Sequence, residues 1–413
     1  MSDVRPFRGI RPRPDTVQDV ASPPYDVMNA DEARDMAAGN PHSFLHVVRA
    51  EIDFDAGTDA HGEEIYAKSR ENLDGLIDSG VLVRDDRPCF YIYRLVMGDH
   101  TQTGIMLGAS AVEYEEGLVK KHEFTRPDKE DDRARHVEVL NANTGPVMLT
   151  YKANETVDTF VQAFCKRFDP VYDFTANDGI RHTMWVVFTS DYVSRLQEAF
   201  GSVDALYIAD GHHRSAAGWR VHQRRKAANA EHTGEEPYSY FLSVAFPHDQ
   251  LQILGYYRAV KDLNGMEPGE LLAKVAEKFE VVKDAPALPS GQRLFSMYLD
   301  GSWYGLKAKT GTFPENDPVY SLDVSILQEN LLKPLLGIED PRIDKRVDFI
   351  GGIRGTAELE RRCKLDMKVA FALHPTSVDQ LIAIADGGQV MPPKSTWFEP
   401  KLRSGMVTRS LDG

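Results

Sequence analysis

Hydrophobic and polar residues alternate along the chain with two periods, one typical of strands and one typical of helices. Apolar runs at residues 89–97 and 103–114, with the turn residues Gly98-Asp99-His100 between them, predict a β-hairpin. Residues 63–78 repeat apolar positions with a helical spacing, and the Ser79-Gly80 pair that follows predicts the end of an amphipathic helix. A predicted helix is therefore followed along the chain by predicted strands.

The middle and the end of the chain continue this interleaving. Strands are predicted at residues 145–151, 183–189, 205–210, 240–246, 251–260 and 369–373, with a further hairpin over 293–307. Helices are predicted at 157–168, 193–200, 214–232, 268–279, 322–336 and 378–384, and the densely charged residues 119–140 also look mostly helical. The fold class predicted is α+β (mixed α/β), with a mixed or partly parallel sheet.

Composition narrows the class of protein. The length of 413 residues favours two or three domains, and the formal net charge of −15 argues against non-specific binding to nucleic acid or anionic membrane. The three cysteines, Cys89, Cys165 and Cys363, are far apart and form no metal-binding pair. No signal peptide and no apolar run long enough to span a membrane occurs. These features predict a soluble cytoplasmic protein.

The stretch Asp210-Gly211-His212-His213-Arg214 lies where a strand pattern gives way to a helix pattern. A helix N-terminus offers free N–H groups and partial positive charge to phosphate, Gly211 permits close approach, and Arg214 can bind two phosphate oxygens. The histidines can exchange protons near neutral pH, and Asp210 is a candidate Mg²⁺ ligand or hydroxyl-orienting group. A zinc or iron site of Asp210, His212 and His213 is an alternative that adjacent histidines disfavour, because they point in different directions. The turn predicts an anion site.

Residues 120–126 form a second polar segment. Pro127 breaks any helix at this point, so the segment is predicted to be a loop. Loops on a rigid scaffold are where binding sites are built. The candidate ligands of phosphate or of substrate charges in this part of the chain are Lys121, His122, Glu123, Thr125, Arg126 and Arg133.

Both ends of the chain add candidates. Lys394, Ser395 and Thr396 follow two prolines that fix the backbone, a combination that suits anion binding. Two aromatic residues follow directly, so this tail is expected to fold back and pack. Near the start, Asp26 sits on a rigid turn after two prolines and is a candidate catalytic carboxylate.

Five segments resemble one family over nearly the whole chain. They are residues 21–27, 120–126, 129–133, 207–214 and 391–401. The family is the domain of unknown function family 1015, often labelled SpoOJ/ParB-like. The string Asp-Gly-His-His-Arg also resembles the phosphate-binding motif of the ParB/sulfiredoxin-like superfamily, in which one branch, the free-serine kinases, carries the same string.

The resemblance implies a ParB/sulfiredoxin-like core around the turn, with additional α+β elaborations. It implies that Gly211, His212, His213, Arg214 and Ser215 bind the phosphates of ATP or ADP with Mg²⁺. The catalytic candidates are then Asp210, His212, His213, Asp26 and Glu123. In the serine-kinase branch an N-terminal carboxylate activates the substrate hydroxyl, and Asp26 takes that role here by analogy.

The resulting hypothesis is a nucleotide-dependent phosphotransferase acting on a small hydroxyl-bearing metabolite, with free L-serine as the first guess. Alternatives are a CTP-binding ParB-like regulatory protein and a phosphatase acting on a small phosphorylated acid such as phosphoserine. Three regions are predicted: 1–170 with the charged loop, 171–265 with the phosphate-binding turn, and 266–413 with the proline-rich tail. A nucleotide and a small-molecule substrate are the expected partners, nucleic acid and membrane are not, and the sequence leaves a homodimer open.

Overall fold

Helices and strands alternate along the whole of the computed structural model, which describes residues 2–413. The strands are β1 (Val4–Arg5), β2 (Gly9–Pro12), β3 (Leu82–Arg84), β4 (Phe90–Met97), β5 (His100–Ser110), β6 (Val119–Lys120), β7 (Ala142–Asn143), β8 (Val147–Tyr151), β9 (Tyr172–Thr175), β10 (Arg181–Val187), β11 (Leu206–Asp210), β12 (Tyr240–Pro247), β13 (Gln252–Leu254), β14 (Tyr256–Val260), β15 (Phe279–Lys283), β16 (Leu294–Leu299), β17 (Ser302–Ala308), β18 (Val347–Gly351), β19 (Val369–Leu373), β20 (Trp397–Glu399) and β21 (Thr408–Ser410). The helices are α1 (Val17–Val20), α2 (Ala30–Ala37), α3 (Leu45–Val48), α4 (Glu63–Asp78), α5 (Ala111–Glu116), α6 (Pro127–Leu140), α7 (Glu155–Arg167), α8 (Ser190–Phe200), α9 (His212–Ala228), α10 (Pro268–Lys278), α11 (Asp323–Leu327), α12 (Gly355–Leu365) and α13 (Val378–Asp386). The predicted α+β class is confirmed.

Two compact units divide the chain. The first runs up to Leu251 and includes Pro400–Gly413, and the second is Gln252–Glu399. The last residues of the chain thus return to the first unit, where β21 pairs with β2 and β7. The three regions inferred from the sequence stay a prediction.

A nine-stranded mixed sheet forms the centre of the first unit. Its strand order is β6-β11-β8-β12-β5-β4-β10-β9, with β1 paired to β5. Most pairs are antiparallel, whereas β12 runs parallel to β8 and β11 runs parallel to β6. Apolar side chains on these strands pack against α7, α8 and α9 in one core cluster. The sheet is therefore a rigid support for the loops at its edges.

The parallel pair of β6 and β11 positions the candidate site. Leu206 is opposite Val119 and Tyr207 is opposite Lys120 in this pair. Val119 and Ile208 are fully buried, so apolar burial holds both strands in place. Because parallel strands end at the same edge of a sheet, the loop after β6 and the turn after β11 leave the sheet together.

The second unit has a six-stranded antiparallel sheet in the order β15-β17-β16-β19-β14-β18. A two-stranded ladder of β13 and β20 accompanies it. Helix α12 packs on the central strands through a cluster that includes Leu359, Tyr257 and Ala370. Every residue of β14 and β19 is buried, and the strand predicted at 251–260 is divided into β13 and β14.

Several predicted boundaries are wrong for local reasons. The run at 103–114 ends as a strand at Ser110, because the Ser110 side chain accepts a hydrogen bond from the Glu113 N–H and starts α5. The charged segment 119–140 begins as β6 and becomes helical only at Pro127. Among residues 2–413, every helix is too short or too polar to cross a bilayer.

Candidate functional site

The turn after β11 is shaped by Gly211. This residue has φ of 94° and ψ of 34°, the left-handed conformation that glycine adopts most readily, and α9 begins at the next residue. A Cβ at this position would lie 3.0 Å from Nε and 3.1 Å from Cζ of Arg214. Among the described residues, no side chain caps α9 and its first turn carries no acid. The positive end of a seventeen-residue helix is therefore left for an anion.

The loop after β6 meets this turn, which the sequence could not show. The rings of His122 and His212 are 4.5 Å apart between centroids and nearly perpendicular, at 87°. Glu123 Oε2 lies 3.9 Å from His212 Nδ1. The backbone N–H of Arg126 donates to His213 Nε2 at 3.2 Å. The pairing of β6 with β11 thus brings together side chains about ninety positions apart in the sequence.

Asp210 is held by two cations. Its Oδ2 lies 3.2 Å from Lys401 Nζ and 3.5 Å from Arg214 Nη2. Burial alone would raise the pKa of Asp210, but the charges of Lys401 and Arg214 lower it well below the usual value. The sequence analysis did not predict Lys401 as a site residue. The sequence feature that could have identified it is its position as the last residue of the family-like segment 391–401. Asp210 is ionised at neutral pH.

Arg214 points into the protein. Only 10% of its side chain is exposed, and Nη2 lies 3.7 Å from Asp26 Oδ2. Nη1 donates to the backbone carbonyl of Pro146. Burial lowers the pKa of Arg214, but Asp26 and Asp210 more than offset this effect. Asp26, which was assigned by role alone, therefore does lie beside the turn.

The two facing histidines are neutral near pH 7. Burial lowers the pKa of His122 to about 4, partly offset by the backbone of Ile208 and by Asp210. The pKa of His212 falls well below its usual value because of burial and because His122 is adjacent. A neutral imidazole carries a lone pair that can accept a proton or bind a metal ion.

The remaining predicted residues of the charged loop have contacts of their own. Lys121 Nζ lies 4.5 Å from the ring centroid of Tyr114. The Thr125 hydroxyl donates to Glu130, and Arg126 Nη2 pairs with Asp128 Oδ2 at 2.8 Å on the surface.

Arg133 and Ser215 are also accounted for. The Arg133 guanidinium lies 4.3 Å from the ring centroid of Tyr25, and its Nε pairs with Asp132 Oδ2 at 2.7 Å. Ser215 is buried and donates to the His212 carbonyl at 3.0 Å, within its own helix. Ser215 therefore supports the first turn of α9, and the roles of both residues as ligands stay predictions.

The proline-rich tail belongs to the second unit. Lys394 adopts a left-handed conformation with φ of 60°, and its Nζ lies 5.8 Å from the ring centroid of Tyr256. The Ser395 hydroxyl donates to the Pro392 carbonyl at 2.6 Å, and Thr396 is half-buried. The tail packs, as expected from its aromatic residues, and binding of a substrate charge by these three residues stays a prediction.

A magnesium ion held by Asp210 does not fit these surroundings. Mg²⁺ prefers several oxygen ligands in near-octahedral geometry. Lys401 and Arg214 already neutralise the Asp210 carboxylate, and both would repel a dication there. Asp210 is therefore better suited to orienting the two cations.

A cavity of about 540 Å³ lies elsewhere on the first unit. Its wall includes Arg11, Asp85, Phe164, Phe168 and Tyr192. None of the site residues that the sequence predicts lines this cavity, so the cavity is not part of the candidate site.

The sequence predicts nucleotide binding at this turn, and Gly211→Ala should weaken that binding by at least about tenfold, because the new Cβ would displace the Arg214 guanidinium. Gly234→Ala is a matched control, since Gly234 has the same φ of 94° but nothing within 4 Å of a Cβ. Both variants should lose about 1–2 kcal/mol of stability from the strained backbone. Equal nucleotide affinity of the two variants, measured by calorimetry, would show that Gly211 does not shape a binding site.

Solved structures similar to this chain include one described as "Free serine kinase in complex with AMP" (TM-score 0.35, 13% identity, covering 71% of this chain and 86% of that one). A conserved hypothetical protein from Pyrococcus furiosus is similar with a TM-score of 0.34 and 13% identity, and the match covers 73% of this chain and 93% of that one. "SbnI with C-terminal truncation from Staphylococcus aureus" is similar with a TM-score of 0.34 and 12% identity, and the match covers 71% of this chain and 82% of that one. Likeness at these scores does not establish a shared activity. A search of curated proteins gave no match.

Family membership rests on a separate comparison. Residues 4–325, well over half of the chain, match the family described as "Protein of unknown function (DUF1015)". The matched residues include the charged loop and the whole turn from Asp210 to Arg214. The family expected from the sequence segments is therefore confirmed, and this chain belongs to the DUF1015 family.

Proposed function

We propose that the protein is a nucleotide-dependent phosphotransferase that acts on a small hydroxyl-bearing metabolite, with free L-serine as the first acceptor to test. The observation that carries the proposal is the meeting of the β6 loop with the uncapped N-terminus of α9. Phosphoryl transfer is catalysed mainly by positioning and by neutralising charge. In this proposal, the edge of the sheet where the β6 loop meets the start of α9 provides the positioning and the neutralising charges.

The nucleotide phosphates would bind at the start of α9. The first N–H groups of an α-helix have no acceptor in the turn before them, so those at the start of α9 can donate to phosphate oxygens. Lys401 and Arg214 both contact Oδ2 of Asp210, and Lys121 is exposed on the adjoining loop. Three cations near a helix N-terminus can balance much of the charge of a di- or triphosphate.

Two carboxylates are candidates for the proton acceptor. Asp26 is next to Arg214 and Glu123 is next to His212, so both reach the turn. In the proposed step, the hydroxyl oxygen of the acceptor forms a bond to the terminal phosphorus. The bond from that phosphorus to the nucleotide oxygen breaks, and the hydroxyl proton passes to Asp26 or Glu123. Magnesium belongs to this proposal only as the counter-ion that the nucleotide carries.

The direct test is to incubate the purified chain with L-serine, Mg²⁺ and either ATP or ADP, and to measure O-phosphoserine by mass spectrometry. We expect product with at least one nucleotide and at least a tenfold loss of rate in Lys401→Met, because a charge beside the phosphates is removed. Lys68→Met is the matched control, since Lys68 pairs with Glu71 at 2.9 Å on α4, outside the site.

Other outcomes would replace the proposal. Phosphate release from phosphoserine without nucleotide would indicate a phosphatase, and retention of duplex DNA that depends on CTP would indicate a regulatory protein. If no nucleotide raises the melting temperature of the chain, the site does not bind nucleotides at all, because a ligand that binds the native state stabilises it.

A further inference from the structure

Three side chains beside the turn form a cluster of metal-binding type. His122, Glu123 and His212 each offer one ligand atom, and these atoms all lie within 4.8 Å of one another. We propose that they bind a divalent first-row transition metal, with Zn²⁺ as the best match. The proposal goes beyond phosphate binding and does not require it.

The donor set favours this class of metal. Two imidazole nitrogens and one carboxylate oxygen suit Zn²⁺, Co²⁺ and Fe²⁺, whereas Mg²⁺ and Ca²⁺ prefer oxygen ligands alone. Three protein ligands leave a fourth position open in a tetrahedral site, as in catalytic zinc centres. Cu²⁺ and Ni²⁺ favour square-planar or tetragonal sites, whereas Zn²⁺ has no geometric preference that opposes a tetrahedral site, so Zn²⁺ is the best match.

The burial of the two histidines is the second, independent observation. His122 is 1% exposed and His212 is 6% exposed. The buried Nε2 of His212 lacks a hydrogen-bond partner among the described residues. Buried polar atoms without a partner are rare in native proteins and often mark the place of an ion or a water molecule. A metal ion between the rings would satisfy one nitrogen on each.

The surrounding charges are compatible with the site. Glu123 provides the negative charge and lies 3.9 Å from His212 Nδ1. His213, which adjoins His212 in sequence, instead accepts the Arg126 N–H. The second histidine of the site thus comes from the loop after β6 and not from the adjacent position.

The test uses the full chain after removal of metals by a chelator and dialysis. Titration with Co²⁺ should produce the visible ligand-field bands of a low-symmetry site that saturate at one ion per chain, and added Zn²⁺ should abolish them. We expect His122→Gln and His212→Gln each to weaken binding at least 100-fold, since loss of a ligand exceeds the effect of losing a supporting contact. His100→Gln, at the start of β5 and outside the cluster, should bind like the parent chain.

Glu123→Gln provides a variant that avoids the buried core, because Glu123 is only half-buried. It should also weaken Co²⁺ binding while its circular dichroism spectrum matches that of the parent. The proposal is overturned if the parent chain gives no saturable bands, or if Glu123→Gln and the histidine variants bind Co²⁺ as the parent does. The titration contains no nucleotide, so a chain that binds Co²⁺ but makes no phosphoserine would refute the proposed activity alone.

Discussion

Replacement of Arg214 by alanine is expected to lower the free energy of unfolding by about 3–5 kcal/mol, because it removes one partner from a buried set of charges. The Arg214 side chain is only 10% exposed and faces both Asp26 and Asp210. Its loss would leave the Pro146 carbonyl without its donor and Asp210 with Lys401 as its one close cation. Urea denaturation followed by circular dichroism measures this change.

Arg126→Ala is the matched control for this prediction. Arg126 also pairs with an aspartate, at 2.8 Å from Asp128, but its side chain is 70% exposed. Exposed ion pairs contribute about 0–1 kcal/mol, so this variant should be nearly as stable as the parent. Arg214→Lys keeps the charge and loses the planar fork, and we expect an intermediate result. If Arg214→Ala costs no more than Arg126→Ala, the arginine is not the buried anchor of the turn.

Acidification below pH 6.5 is expected to destabilise the first unit steeply. Burial lowers the pKa of His136 to about 3, helped by the charge of Arg133, and burial with the charge of Arg403 does the same for His182. An unfolded histidine has a pKa of about 6.5, so below that pH the unfolded chain binds a proton that the native chain does not. The free energy of unfolding therefore decreases as the pH decreases below 6.5, by about 1.4 kcal/mol per pH unit for each of these histidines.

A buried acid opposes part of this effect. Burial raises the pKa of Glu113 to about 7, so the native state binds a proton at Glu113 between pH 7 and about 4.5 that the unfolded state does not. Its contribution to stability therefore grows as the pH falls. Since His122, His136 and His182 all act in the other direction, the net change is a loss.

His136→Asn isolates one of these protons. Compared with the parent, its free energy of unfolding should fall less steeply between pH 6.5 and 5, by about 1.4 kcal/mol per pH unit. His182→Asn should show a similar difference, although it also removes a contact of 2.7 Å to the Tyr93 hydroxyl. Urea denaturation at several pH values gives the slopes. Curves for the parent and His136→Asn that run parallel would show that His136 titrates normally in the native state.

Local order in the sequence was enough to place the turn between β11 and α9 and many of the longer helices and strands. The run from Leu206 to Ala209 is apolar, and Gly211 then permits the left-handed backbone that starts α9. The bounds of α4 also follow from its own apolar spacing and the Ser79-Gly80 end. These features depend on neighbours within a few residues, so a single sequence determines them.

Only the tertiary structure decided which distant residues meet at that turn. The two-residue strand β6 is too short to predict, yet its parallel pairing with β11 brings His122 and Glu123 to His212. Lys401 reaches Asp210 because the end of the chain returns to the first unit. Such contacts arise from burial of many apolar side chains at once, and no short pattern encodes them. The sequence by itself predicted an anion-binding turn, and the fold decided that two buried histidines and a carboxylate lie beside it.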